Sequence, residues 1–118
     1  MEQPTKITAQ RLSKSLTDSI AIAEKYYSLL STLNQLNLTP REVDLIAFTA
    51  IKGNISYANI RKEFCEKYGS SSATINNMIS KLKKIGVLVK DGTKIKVNPA
   101  IVLNFDNHVV LQITLKHG

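Results

Sequence analysis

The sequence predicts a mainly α domain closed by a small β-sheet. Three observations carry that reading: several segments with apolar residues at helical spacing, a hairpin signal around Asp91-Gly92, and an alternating run near the carboxyl end. With 118 residues, 43% hydrophobic and 21% charged, the chain suits one globular domain and is too apolar for general disorder. No run approaches the roughly 18 apolar residues of a membrane span, so no membrane partner is expected. The start, Met1-Glu2-Gln3-Pro4-Thr5-Lys6, lacks the basic-then-apolar layout of a secretory signal. Cys65 has no second cysteine to pair with, which fits a reducing compartment.

The first element spans Arg11 to Leu36. Leu16, Ile20, Ala23, Tyr27 and Leu30 recur at spacings of four and three, a helical stripe with a heptad flavour. No Pro or Gly interrupts it, so one long helix is expected. Its stripe is more than packing on a small domain needs, and Leu16, Ile20, Tyr27 and Leu30 are assigned to a homo-oligomer contact.

Thr39-Pro40-Arg41-Glu42 reads as the next helix start, with Thr39 as N-cap, Pro40 at the first helical position and Glu42 completing a capping box. Val43, Ile46, Ala47, Ala50 and Ile51 point inward, and Gly53-Asn54 ends the helix. Ile55-Ser56-Tyr57 reads as short and extended. A third helix puts Tyr57, Ile60, Phe64 and Tyr68 on one side and stops at Gly69. Ser70-Ser71-Ser72 supplies an N-cap for a fourth, with Ile75, Met78, Ile79, Leu82 and Ile85 as the buried stripe and Gly86 as its close.

Val87-Leu88-Val89-Lys90 and Thr93-Lys94-Ile95-Lys96-Val97 flank Asp91-Gly92 as a hairpin. A two-residue turn would put Val87 and Val89 on the same face as Lys94 and Lys96, whereas a three-residue loop with Gly92 left-handed would put Val87, Val89, Thr93, Ile95 and Val97 together and turn Leu88 outward with Lys90, Lys94 and Lys96. That register separates the charges from the core and is the one expected. Asn98-Pro99 ends the second strand, and Val109 to Lys116 alternates as a last strand.

The phrase Thr39-Pro40-Arg41-Glu42, the tight connection from Tyr68 to Ser72, and a helix running directly into Gly86-Val87-Leu88-Val89 resemble the winged helix-turn-helix superfamily. The ending Lys96-Val97-Asn98-Pro99 is similar to the close of the wing in some plasmid and phage replication initiators. The resemblance covers residues 39–99 and implies a fold, not an activity. The expected architecture is therefore a winged helix-turn-helix domain at 39–99. A helix for packing or oligomerisation precedes it at 1–38, and a connector and strand follow at 100–118.

The resemblance implies that the fourth helix is a recognition helix and the hairpin a wing. Charge points the same way. Residues 71–99 carry six Lys against the single Asp91, most of the net charge of +7. A lysine run alone reads as a solvated face, but these lysines fall on the two elements such a fold uses to hold DNA. Ser72, Ala73, Asn76, Asn77, Ser80, Lys81, Lys83 and Lys84 on the helix, with Lys90, Lys94 and Lys96 on the wing, are the expected nucleic-acid contacts. Asn pairs bidentately with adenine, and lysines reach phosphates. The helix has no arginine, since Arg11, Arg41 and Arg61 lie elsewhere, so the commonest guanine contact is missing from it.

Other residues read as structural. Cys65 lies beside inward Phe64 as a core or boundary thiol, and His108 and His117 lack metal-ligand spacing. Glu42, Asp44, Glu63 and Glu66 sit among basic residues and read as surface pairs, Glu42 doubling as the capping residue. No catalytic residue, metal or cofactor is expected. Three functions remain open. The first is a DNA-binding regulator of transcription or replication, dimeric through its first helix and cytoplasmic in a bacterial or phage-infected cell. The second is a phage virion or neck protein that uses the scaffold to contact other virion proteins. The third is a replication or recombination accessory.

Overall fold

The structure is a computed structural model and describes residues 18–105. Four helices, α1 (Ser19–Leu33), α2 (Pro40–Lys52), α3 (Ala58–Tyr68) and α4 (Ser72–Lys84), precede a hairpin of β1 (Leu88–Asp91) and β2 (Lys94–Val97). A 3-10 turn at Pro99–Ile101 follows. The protein is mainly helical with a small antiparallel sheet, as its sequence predicts. Leu16 and the strand expected at Val109 to Lys116 lie outside the described residues, as do His108 and His117.

Helix α2 occupies the centre. Val43, Leu45, Ile46, Ala47, Phe48 and Thr49 are all buried, and the last five are consecutive, so this helix meets protein on nearly every side. A helix apolar around most of its circumference belongs inside a domain. Its start is the expected capping box: Glu42 N–H donates to Thr39 Oγ1 at 3.2 Å, and Thr39 N–H donates to Glu42 Oε1 at 2.8 Å. Phe48, Phe64 and Tyr68 join α2 to α3, with the Phe64 ring 5.3 Å from Phe48 and 4.6 Å from Tyr68.

Helix α1 packs along α2 and shares its core. It starts at Ser19, with extended Asp18 as N-cap accepting from Ala21 N–H at 2.7 Å, so it does not run unbroken from Arg11 as expected. It ends at Leu33, three residues before the expected stop. Leu36 N–H donates to Ser31 O and Gln35 N–H to Thr32 O, the double closure of a Schellman motif. Gln35 takes the left-handed position, φ +53°, that glycine usually fills.

Tyr27, expected both among the buried side chains and at a subunit contact, is 1% exposed within the chain's own core. Its hydroxyl donates to Ile101 O at 2.7 Å, and its ring lies 5.7 Å from buried Phe105. Burial, with Tyr26 adding to it, pushes that hydroxyl well above its ordinary value. Ile20 and Leu30 are half-buried against the same core. The connector after the hairpin thus covers α1.

Helix α4 closes with a second Schellman motif, in which Val87 N–H donates to Leu82 O and Gly86 N–H to Lys83 O. Gly86 at φ +82° lets the chain leave the helix straight into β1. Ile85, expected in the buried stripe, is the C-cap and is 44% exposed, because the helix stops before its next inward position. Tyr57 is likewise the N-cap of α3 rather than part of its inner face, and is exposed.

The hairpin corrects the expected register. Leu88 pairs with Val97, Val89 with Lys96, Lys90 with Ile95 and Asp91 with Lys94, leaving a two-residue turn at Gly92-Thr93. Gly92 has φ +65° at the first turn position. Asn98 N–H donates to Val87 O and carries the same register one rung further. Leu88, expected outside, is therefore buried opposite Val97, while Val89 shares a face with Lys94 and Lys96. The segment between α2 and α3 docks on β2, where Ile55 N–H donates to Ile95 O and Ile95 N–H donates to Ser56 Oγ.

Candidate nucleic-acid interface

Helix α4 is amphipathic in the expected phase. Ile75, Met78, Ile79 and Leu82 are buried, and Ser72, Ala73, Asn76, Asn77, Ser80, Lys81, Lys83 and Lys84 are exposed. Ser71 caps the helix by accepting from Thr74 N–H. The connection Gly69–Ser71 holds α3 and α4 together, with Gly69 left-handed at φ +66°.

The six lysines of this region are not equivalent. Lys81 Nζ lies 2.9 Å from Glu42 Oε1, tying the outer face of α4 to the first turn of α2. Glu42 is only 6% exposed, so it is a buried partner and not the surface carboxylate its neighbours imply. Burial alone would raise its carboxyl, but the Thr39 N–H and the Lys81 ammonium outweigh that and hold it below its usual range. The ionised form is thus favoured by folding. Its stabilising contribution is present above the unfolded carboxyl value and is lost as pH falls through the lower folded one. Asp44, two residues on, moves the other way, because burial and the nearby Glu24 both raise it. It pairs with Arg41 at 3.0 Å.

Lys96 pairs with Asp91 at 2.8 Å, and that contact holds the Asp91 carboxyl below its usual range. Lys83, Lys84, Lys90 and Lys94 are exposed and make no ion pair within the described residues. Lys94 lies on the Val89 face of the hairpin, whereas Lys90 lies on the Leu88 face, opposite Ile95, and is exposed.

One residue at this surface was not legible as part of it. Arg61, near the start of α3, donates from Nη1 to Asn76 Oδ1 at 2.8 Å and from Nε to Ile55 O at 2.8 Å. The surface therefore holds a guanidinium although α4 has none. The partners are fifteen residues apart on different helices, and no periodicity within either helix signals the contact.

Among the described residues no group of three or more His, Cys, Asp or Glu is placed to hold a metal ion. Cys65 is half-buried against the core. No described helix is long and apolar enough to cross a membrane. Comparison of the chain with protein-family models, with curated proteins and with solved structures finds no match to any of them.

Proposed function

We propose that the chain is a DNA-binding protein of the winged helix-turn-helix type, a small regulator of transcription or replication. In this reading α4 enters the major groove and the β1–β2 hairpin lies against the backbone. The observation that carries it is the outward face of α4, wholly small, polar or basic, followed by a hairpin whose Lys90 and Lys94 make no ion pair among the described residues. The docking of Ile55 on β2 and the tight α3–α4 connection support the same reading. Two copies related by a two-fold axis would match the symmetry of a duplex. On α1 the apolar side chains open to a second copy are Leu29 and Leu33, one turn apart.

The test is a titration of labelled duplex at several salt concentrations, wild type beside a variant with Lys83, Lys84, Lys90 and Lys94 changed to Gln. These four are chosen because Lys81 and Lys96 already hold carboxylates. Every lysine–phosphate pairing that the variant removes should lower the log–log salt slope by about 0.9. Equal weak binding by both proteins would exclude this surface as the DNA site. Failure of the variant to assemble with other chains would point instead to a virion role.

A further inference from the structure

Arg61 is held at two points, by Asn76 Oδ1 and by the Ile55 carbonyl oxygen. Ile55 is itself bonded to Ile95 of β2 at 2.9 Å. The guanidinium thus sits where the hairpin, the start of α3 and the outward face of α4 meet. Arginine only donates, so the Asn76 atom that faces it must be the carboxamide oxygen, and Nδ2 is turned away. An amide that would rotate freely on an exposed helix face is fixed in one sense. The two bonds engage two of the five guanidinium N–H donors and leave others for a ligand.

Together the two side chains present a row: donor at Arg61, acceptor at the second lone pair of Asn76 Oδ1, donor at Asn76 Nδ2. In the major groove an A·T pair presents acceptor, donor, acceptor, at adenine N7, adenine N6 and thymine O4. A G·C pair presents acceptor, acceptor, donor. The row complements A·T at every position, while against G·C it sets Oδ1 against an acceptor. Resting on the DNA-binding reading above, we infer that Arg61 and Asn76 act as one unit that reads a single A·T base pair. Nδ2 donates to N7, Oδ1 accepts from N6, and the guanidinium donates to thymine O4. Arg61 also positions Asn76, so base preference at that pair depends on a residue of α3.

Selection from a duplex library, with wild type and the variants Arg61→Lys, Asn76→Ala and Asn76→Asp, tests this. Wild type should prefer A·T at one position by about tenfold or more. Asn76→Ala and Arg61→Lys should both lose the preference at that same position. The salt slope of Arg61→Lys should stay unchanged, since its charge is kept. Asn76→Asp keeps an oxygen for Arg61 and loses the outer donor, so it should lose the preference while melting no lower than wild type. The double variant Arg61→Lys, Asn76→Ala should lose no more than the larger single effect. Should Arg61→Lys fail to fold, the two Asn76 variants, on an exposed position, still decide whether the A·T preference arises there. Wild-type preference in Arg61→Lys, or losses at two different base pairs, would overturn the inference and leave DNA binding standing. A wild type that binds duplex no better than an unrelated basic protein would overturn both.

Discussion

Phe64→Ala should destabilise the protein by about 3–5 kcal/mol, the range for removing a large buried aromatic. Phe64 is fully buried, edge-on to Phe48 of α2 and against the ring of Tyr68. It is the buried side chain of α3, whose remaining apolar residues are half-buried or exposed. Removing it takes away the one fully buried side chain of α3 and leaves half-buried Tyr68 and the Lys52–Glu63 pair to hold the helix on α2; α3 carries Arg61 to the proposed DNA-binding surface. Against a total of about 5–15 kcal/mol for a domain, the loss is large. Denaturant unfolding should show a lower midpoint at an unchanged m-value. A loss under about 1 kcal/mol, far below that cavity range, would mean that α3 is not anchored by this ring.

Tyr27→Ala should have a comparable effect, again about 3–5 kcal/mol, and Tyr27→Phe a smaller one of about 1–2 kcal/mol. The Ala variant empties a site bounded by Tyr26 and Phe105, while the Phe variant removes only the bond to Ile101 O. The contrast separates two roles for the first helix. A Tyr27 in the chain's own core lowers the unfolding midpoint at any protein concentration. A Tyr27 at a subunit contact would instead change the sedimenting mass and make the midpoint concentration-dependent.

The parts of the fold that were legible in the sequence are those written in local chemistry. Thr39, Pro40 and Glu42 are one turn of a helix start, and the stripe of α4 repeats within a single element. The phase of that stripe placed the exposed face of the candidate interface correctly, from Ser72 to Lys84. The end of α1 was not legible, because Gln35 takes a left-handed position without the glycine that announces one. The hairpin register failed for a related reason. Separating charges from apolar residues favoured a three-residue loop, but the core takes both Val87 and Leu88, and the Gly92-Thr93 turn follows from that. Pairings between distant segments left no trace in periodicity. Glu42 with Lys81, Arg61 with Asn76 and Tyr27 with Ile101 each join residues from different elements. These three pairings decide which lysines are free, how an arginine reaches α4, and which face of α1 is closed.

In the proposed function, α4 and the hairpin form one DNA-binding surface. The most direct measurement is the backbone amide spectrum of the isotope-labelled protein as unlabelled duplex is added. The largest shifts should fall on Ser72–Lys84 and on Lys90 to Lys94, extend to Arg61, and leave α1 unmoved. Largest shifts on α1, or small uniform shifts that vanish at physiological salt, would contradict the claim.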